Sequence, residues 1–377
     1  VTACGDEDNA EPPAELTEFK RTYDLSLQWS ASTDDSIDQQ FLFIEPLLLK
    51  DRIVTAGREG TLNVYDLESG DELAEIELDI PLSGGVGGTE NIWLVGSRNG
   101  ELIAVSASSE DILWRTAVPS EILARPVVYN RNTVLVRTAD GQVLGVDIQT
   151  GRINWNHATT LPTLTLRGSS SPILSRSHFY TGLENGRLIA MSPIDGEVVW
   201  DVALTVPEGR SEIQRLVDID GKSELYGRIL YAASYHGRIA AIDVTRGQFL
   251  WARSFSSNTG VSVSKDAVYS SDDRSHIWAL DRNNGATLWK QDKLQARSVT
   301  RPVIFKDFVV VGDFEGYLHV LSRLDGRFVA RVQVDSDGIL VPPIVDGDSI
   351  LALTRDGYLA AFTLAESAVY TDEDLFD

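Results

Sequence analysis

Cysteine is almost absent from this chain of 377 residues, which contains Cys4 and no second one. An intramolecular disulfide, a zinc site built from several thiolates and a redox pair of neighbouring cysteines are therefore excluded. Basic residues are also scarce, since 33 lysines and arginines stand against 56 aspartates and glutamates and the formal net charge is -23. Without a cluster of lysine and arginine, we expect no nucleic-acid partner and no binding to anionic lipid through basic residues.

Long apolar runs and catalytic signatures are missing as well. No stretch of 18 or more apolar residues occurs, so the sequence offers no membrane-spanning helix. Metal-protease, nucleophile-elbow and phosphate-loop motifs are not found, and the histidines are scattered. Asp218-Ile219-Asp220-Gly221 resembles the start of a calcium loop but lacks the later ligands. We therefore predict no catalytic residues, no metal site and no cofactor.

What the sequence does contain is a pattern of about 40 residues that occurs eight times. Each copy has a short β-branched or aromatic run, a turn with a glycine, an alternating apolar run and a second turn, often followed by tryptophan. The mid-repeat glycines are spaced by 40, 41, 45, 51, 39, 40 and 41 residues, if His276 replaces the glycine of the sixth copy. A period near 40 with about four short strands per copy is typical of propeller blades. The sequence thus predicts an all-β, eight-bladed β-propeller with four-stranded antiparallel blades.

The two ends of the chain fit together in this scheme. The eighth copy stops near Leu364 without its last strand, and Leu25-Ser26-Leu27-Gln28-Trp29 can supply it. An N-terminal strand in that place closes the ring and covers an exposed sheet edge. We therefore predict a tether and linker over 1–24, a propeller over 25–364 and an acidic, disordered tail over 365–377. Six tryptophans then share one outer-strand position, where we expect them to pack between blades: Trp29, Trp114, Trp155, Trp200, Trp251 and Trp289.

The N-terminus has the features of a lipid anchor. Val1-Thr2-Ala3-Cys4 resembles the end of a bacterial lipoprotein signal, and the polar, acidic and proline-containing stretch over 5–13 suits a tether. We expect Cys4 to receive the lipid and a signal peptide to precede this numbering. The alternative is a frayed N-terminus with an accidental cysteine.

Two connections between blades are longer than the others. From the tryptophan position to the start of the next inner strand most copies use 12 or 13 residues, but Trp155 to Pro172 takes 17 and Trp200 to Ser223 takes 23. Both insertions connect an outer strand to the next inner strand in neighbouring blades, so they are expected on one shared surface. Functional residues on a repeat scaffold concentrate in such insertions.

The composition of the two insertions suggests a protein-binding surface. The first contains Leu164, Leu166 and Arg167, and the second alternates charged with aliphatic residues up to Asp218 and Asp220. Apolar side chains beside an arginine, rimmed by carboxylates, are typical of interaction hot spots. The alternative is structural: the leucines tuck under the loop, and Asp218 or Asp220 pairs with Arg167 or Arg215. Composition alone leaves both readings open.

Several segments resemble known proteins. The blade pattern Asp-x-x-x-Gly-x-x-x-Trp resembles the pyrroloquinoline-quinone-type propeller superfamily. Three segments, over 164–168, 211–220 and 312–319, closely resemble the BamB family of outer-membrane assembly lipoproteins. The resemblance implies a non-catalytic scaffold, lipid-anchored at the periplasmic face of the outer membrane within the β-barrel assembly (BAM) machinery.

In that family the matching loops contact the periplasmic POTRA domains of BamA. Carried over by motif, the resemblance assigns partner binding to five residues: Leu164, Leu166, Arg167, Asp218 and Asp220. One alternative is direct binding of unfolded outer-membrane protein clients, with a client strand added to a blade edge. Another is a periplasmic quinoprotein dehydrogenase, which would need calcium ligands and often carries an adjacent cysteine pair that the single Cys4 cannot form.

Overall fold

The computed structural model describes residues 11–33, 44–162, 170–206 and 217–367. Within these ranges the chain forms 32 β-strands and no helix, arranged as eight four-stranded antiparallel sheets. Inner strands of neighbouring sheets contact one another around a central channel. The predicted all-β, eight-bladed propeller is confirmed.

The strands of each blade are numbered along the chain from the inner to the outer strand. Blades 1 to 4 comprise β2 (Leu47–Leu48), β3 (Arg52–Ala56), β4 (Thr61–Asp66), β5 (Glu72–Glu77); β6 (Gly87–Gly88), β7 (Ile92–Gly96), β8 (Glu101–Ser106), β9 (Ile112–Ala117); β10 (Val127–Val128), β11 (Thr133–Arg137), β12 (Gln142–Asp147), β13 (Ile153–Ala158); β14 (Ile173–Leu174), β15 (Phe179–Gly182), β16 (Arg187–Met191) and β17 (Val198–Ala203).

Blades 5 to 8 follow the same plan, except that the outer strand of blade 8 comes from the N-terminus. They comprise β18 (Glu224–Tyr226), β19 (Ile229–Ala233), β20 (Gly237–Asp243), β21 (Gln248–Phe255); β22 (Val261–Val263), β23 (Ala267–Ser271), β24 (Ile277–Asp281), β25 (Thr287–Gln291); β26 (Val303–Phe305), β27 (Phe308–Gly312), β28 (Tyr317–Ser322), β29 (Phe328–Gln333); β30 (Ile344–Asp346), β31 (Ser349–Leu353), β32 (Tyr358–Glu366) and β1 (Tyr23–Ser32).

The ring closes as the sequence predicts, but the predicted propeller bounds of 25–364 are too narrow, since the strand pair extends to Tyr23 and Glu366. Strand β1 pairs antiparallel with β32, with Leu25 opposite Leu364, and a register irregularity lies between Leu27 and Trp29. Because β1 completes the eighth sheet, the edge of β32 does not face solvent, where it would be a template for aggregation.

Burial along the strands follows their place in the blade. The second strands are buried on both faces, as in β7, because each blade is covered by a neighbour on either side. Outer strands alternate between half-buried and exposed positions, as in β13, because one of their faces meets water. Apolar side chains of facing blades therefore form the core in layers between the sheets.

The six tryptophans of the outer strands form one repeated contact between blades. The indole Nε1 of each donates a hydrogen bond to a backbone carbonyl of the following blade. The donor–acceptor distances are 3.2 Å (Trp29 to Leu67), 3.0 Å (Trp114 to Ile148), 3.2 Å (Trp155 to Pro193), 2.8 Å (Trp200 to Val244), 2.9 Å (Trp251 to Arg282) and 2.8 Å (Trp289 to Arg323). The predicted packing between blades is confirmed.

Each of these indoles also covers the glycine that ends the turn between the third and outer strands of the following blade. This turn reads Asp-x-x-x-Gly in four of the six cases and Ser-x-x-x-Gly in blades 4 and 7. At Gly285, for example, φ is 72° and an added Cβ would lie 2.6 Å from Cε3 of Trp251. Where the tryptophan is missing, the glycine is missing too. Strand β5 has Ala74 at that position, and the matching turn residue of blade 2 is Glu110, with φ of 62°. The tryptophan and the glycine thus behave as one structural unit.

One detail of the repeat register is wrong in the sequence-based assignment. In blade 6 the backbone N–H of Asp272 donates to the carbonyl of His276, the same four-residue spacing that joins Thr138 to Gln142 in blade 3. The fourth turn residue of blade 6 is therefore Ser275, whose φ is 68°. Ser275, and not His276, occupies the place of the glycine.

The segment before β1 packs on blade 7. The backbone N–H of Thr22 donates to the carbonyl of Val329 at 3.1 Å, and Phe19 packs against Phe328 with ring centroids 5.5 Å apart. Arg297 and Arg331 donate to the carbonyls of Ala14 and Thr17, each at 3.1 Å. Blade 7 has no tryptophan in its outer strand, and this segment covers that strand instead.

The segment over 312–319, which resembles the BamB family, supplies the buried side chains beneath this contact. Asp313 accepts hydrogen bonds from Nε of Arg297 at 2.8 Å and from Nε2 of His319 at 2.9 Å. Nδ1 of His319 accepts from Arg331 at 2.9 Å, and burial lowers the pKa of His319, so this imidazole is neutral. The motif thus has a structural role in docking the N-terminal segment.

We expect the contact between tryptophan and glycine to contribute measurably to stability. Gly285→Ala combines a left-handed backbone position with a clash against Trp251, so it should lower the free energy of unfolding by about 2–4 kcal/mol. Gly227→Ala is a matched control, because φ is 64° but nothing lies within 4 Å of the added Cβ. The control should cost about 1 kcal/mol. Denaturant unfolding measures both, and equal losses would contradict the packing contribution.

Candidate partner-binding site

The connections from outer to inner strands lie on one face of the ring. As each connection leaves its outer strand, it hydrogen-bonds to the turn between the second and third strands of the same blade. The N–H of Val118 donates to Gly100, that of Thr159 to Gly141 and that of Leu204 to Gly186, at 2.8 to 3.1 Å. We call this surface the crossing face. The turns between third and outer strands lie on the opposite face.

Both long insertions belong to the crossing face. The first connects β13 of blade 3 to β14 of blade 4, and the second connects β17 of blade 4 to β18 of blade 5. Leu164, Leu166 and Arg167, the predicted contact residues of the first insertion, lie outside the described residues. Asp218 and Asp220, at the end of the second, are described.

Asp218 is buried. The residue is 1% exposed, and its backbone carbonyl accepts a hydrogen bond from the N–H of Tyr235 at 2.8 Å. One carboxylate oxygen accepts from the N–H of Ile219 at 2.9 Å, while Oδ2 is buried without a partner. Asp220 is half-buried, and its Oδ1 is likewise buried and unpaired. The Asp218 carboxylate is therefore enclosed, and that of Asp220 is accessible only in part.

Two further residues, which the sequence analysis did not single out, complete a buried cluster. Nη2 of Arg137, at the end of β11, lies 2.5 Å from Oε1 of Glu184, and their side chains are 1% and 4% exposed. Nη1 of Arg137 also donates to the carbonyl of Ser170 at 3.3 Å, where the first insertion ends. We call Arg137, Glu184, Asp218 and Asp220 the acidic cluster. It contacts the ends of both insertions.

The sequence repeat does mark Arg137 as unusual. It occupies the last position of the second strand of its blade, where the seven other blades have a small or apolar residue: Ala56, Gly96, Gly182, Ala233, Ser271, Gly312 and Leu353. An arginine at a position that is otherwise small or apolar indicates a buried charge, which requires a partner. Aligning the copies at this position would have identified Arg137 as a buried charge that needs a carboxylate partner.

The electrostatics of the cluster are set by burial. Burial first, and then the charge of Glu184, raise the pKa of Asp218 to about 7. Burial and the charge of Asp218 raise the pKa of Asp220 well above its usual range. Three carboxyl groups surround one guanidinium, so full ionisation would leave two uncompensated negative charges in the cluster. The structure therefore favours protonation of these aspartates near neutral pH.

Comparison with known proteins agrees with this architecture. The family model described as "Outer membrane protein assembly factor BamB" matches residues 58–291 and 281–369. A protein of that name from Pseudomonas aeruginosa is 39% identical over 97% of this chain and 96% of its own length. Another from Shewanella oneidensis is 32% identical over 97% and 95%.

Solved structures show the same likeness. BamB from Moraxella catarrhalis superposes with a TM-score of 0.82 at 28% identity, covering 90% of this chain and 99% of its own. The quinohemoprotein alcohol dehydrogenase from Comamonas testosteroni has a TM-score of 0.72 at 13% identity, over 90% and 76%, which shows a common fold alone. No helix that could span a membrane is found among the described residues.

An eight-bladed propeller with two long neighbouring insertions on one face is a scaffold whose specific surface lies in its loops. The family model and the relatives match nearly the whole length of the chain, and these matches decide the family. The chain belongs to the BamB family of outer-membrane protein assembly factors.

The raised pKa of Asp218 makes a prediction for Asp218→Asn. Unfolded, this carboxyl ionises near pH 4; folded, its pKa is about 7. Between pH 4 and pH 7 the folded protein retains a proton on Asp218 that the unfolded chain has lost. The contribution of this carboxyl group to the free energy of unfolding is therefore greatest at low pH and is lost as the pH rises through the folded pKa. Asparagine does not titrate. The melting temperature of the variant, relative to the native protein, should therefore increase by at least about 2 °C from pH 5 to pH 8.

Asp243→Asn provides the matched control. The backbone N–H of Thr245 lowers the pKa of this exposed carboxylate, so it stays ionised in both states over that range. Its effect on stability should not change between pH 5 and pH 8. Parallel pH profiles of the native protein and Asp218→Asn would contradict the elevated pKa.

Proposed function

We propose that this protein is a non-catalytic scaffold lipoprotein of the outer-membrane β-barrel assembly machinery. It binds the periplasmic POTRA domains of BamA and assists folding and insertion of outer-membrane proteins. Cys4 carries the lipid that anchors it at the periplasmic face of the outer membrane. The observation that supports this most strongly is family membership over nearly the whole chain, since the relatives are named outer membrane protein assembly factors.

The described site favours binding over catalysis. The carboxylates and the guanidinium of the acidic cluster are largely closed off from solvent, so a substrate could not reach them without opening of the site. The likeness to quinohemoprotein dehydrogenases extends to the fold alone. The single Cys4 also excludes the adjacent cysteine pair of many such enzymes.

We assign different roles to the two groups of predicted site residues. Leu164, Leu166 and Arg167 contact the POTRA domain directly. Asp218 and Asp220 act as positioning residues, because the Asp218 carboxylate is buried and Asp220 is half-buried with one carboxylate oxygen enclosed. Through Ser170 and Asp218, the acidic cluster fixes the points at which both insertions rejoin the ring. Preorganised insertions reduce the entropy lost on binding.

Binding to isolated POTRA domains of BamA tests these roles. Arg167→Glu should weaken the affinity of the soluble protein at least about thirtyfold, or roughly 2 kcal/mol, and Leu166→Ala should weaken it as well. Calorimetry or biolayer interferometry gives the dissociation constants. Asp218→Asn keeps the shape of a protonated carboxyl and should change the affinity by less than about threefold near pH 6.

Two exposed residues on the opposite face give matched controls. Arg246 lies in the turn between β20 and β21, and Leu324, 86% exposed, lies in the turn between β28 and β29. Arg246→Glu and Leu324→Ala make the same chemical changes away from the insertions and should alter the affinity less than about twofold. Equal losses on both faces, or unchanged binding of folded Arg167→Glu, would contradict the assignment.

A second candidate is direct binding of unfolded outer-membrane protein clients. It is favoured by exposed apolar side chains that lie next to the tryptophans on the outer strands. Leu113, Val199, Leu250 and Leu288 are 50% to 53% exposed, and each immediately precedes a tryptophan. A client strand added to such an edge would gain backbone hydrogen bonds and apolar contacts. If variants of the insertions bind POTRA domains normally, these edges become the leading candidates.

A further inference from the structure

The position two residues before each inner strand forms a ring at the crossing-face end of the central channel. The inner strands start at Leu47, Gly87, Val127, Ile173, Glu224, Val261, Val303 and Ile344. In blade 6 the residue equivalent to these starts is Ser262, since it pairs with Tyr269 as Glu224 pairs with Tyr231. Around the ring, in blade order, the position is therefore occupied by Glu45, Gly85, Arg125, Ser171, Lys222, Gly260, Arg301 and Pro342. Charged residues alternate with small or uncharged ones. Odd-numbered blades thus supply charge, and even-numbered blades leave space between them.

The charged members line a cavity of about 400 Å3 in the channel, together with Glu224 and Ser262. A volume of this size is in the range of small-molecule sites. Three cations, Arg125, Lys222 and Arg301, stand against two carboxylates, which leaves one net positive charge. The protein as a whole has a net charge of -23, so this is a local reversal of sign.

The cations of the channel are not neutralised by direct contacts. Within the described part of the chain, neither Arg125, Lys222 nor Arg301 forms an ion pair with a carboxylate. Arg301 instead donates from Nη1 to the hydroxyl of Ser262 at 2.5 Å, and its Nε is buried without a partner. One oxygen of Glu224 is occupied by the backbone N–H of Val263, at 3.1 Å.

Lys222 and Arg301 also repel each other. Lys222 is exposed to the channel, and the charge of Arg301 is the main cause of a lowered pKa at Lys222, followed by burial. Burial raises the pKa of Glu224, which weakens the compensation that a carboxylate could provide. Like charges placed together in a concave site, without partners, are stabilised when an anion binds between them.

We propose that this ring binds a small organic or inorganic polyanion that carries either a phosphate group or two or more carboxylate groups. Arg125, Lys222 and Arg301 contact its charged groups, and the uncharged positions between them accommodate its body. The site lies on the axis of the ring, and of its three cations only Lys222 belongs to a long insertion, two residues before β18. The inference therefore rests on the charges of the channel and not on the proposed partner. Arginine offers paired donors to carboxylate or phosphate, whereas lysine acts as a point charge.

Isothermal titration calorimetry on the full chain, at constant ionic strength, tests this inference with citrate, inorganic phosphate and acetate as probes. The native protein should bind citrate or phosphate with a dissociation constant of about 1 mM or lower, and acetate at least about tenfold more weakly. Preference between citrate and phosphate distinguishes a carboxylate site from a phosphate site. Lys222→Met and Arg301→Gln should each weaken binding at least about tenfold.

Glu45→Gln gives a prediction of opposite sign and guards against loss of binding through misfolding. Its backbone contact to the N–H of Val86 is retained, but a carboxylate is removed from the ring, so affinity for the polyanion should rise. Arg246→Gln, on the opposite face, should leave binding unchanged. The proposal is overturned if the native protein binds neither citrate nor phosphate when the anion is present at about 10 mM, ten times the expected dissociation constant. It is equally overturned if the ring variants bind like the native protein, or if Glu45→Gln weakens binding.

Discussion

The ring depends on one repeated interaction, in which an outer-strand indole reaches into the next blade. At six of the eight contacts between blades, a tryptophan donates to a backbone carbonyl and covers a turn glycine that leaves room for the ring. Each hydrogen bond contributes about 1 kcal/mol, and burial of the indole adds more. The two remaining contacts are made differently. Blade 1 has Ala74 facing a turn without glycine, and blade 7 is covered by the N-terminal segment.

Because the blades are fixed in this way, variation is confined to the connections and to the channel. The two longest connections are consecutive crossings, and the acidic cluster contacts the described ends of both, at Ser170 and Asp218. Buried charge of this kind is costly unless it is paired, and here the pairing of Arg137 with Glu184 lies where the insertions rejoin the ring. The charged ring of the channel opens on the same face but is built from a different position of the repeat.

The features that depend on repetition could be predicted from the sequence. The blade number follows from the period near 40. Ring closure follows from the last strand that the eighth copy lacks and that Leu25 to Trp29 can supply. Both can be recognised because short strands alternate between apolar and polar residues. Burial of Asp218 could not be predicted, because alternation in a single insertion does not show which side faces the core. The turn of blade 5 shows a similar limit. There the left-handed residue is His236, with φ of 49°, although a glycine follows it.

Hydrogen–deuterium exchange of the full chain, alone and with the POTRA domains of BamA, tests most directly whether a rigid ring presents its two long insertions to a partner. Binding should slow exchange in peptides covering 159–172 and 204–223, while the second and third strands of the blades exchange slowly in both states. Slowed exchange concentrated on the outer strands, with the two insertions unchanged, would contradict this view of the molecule.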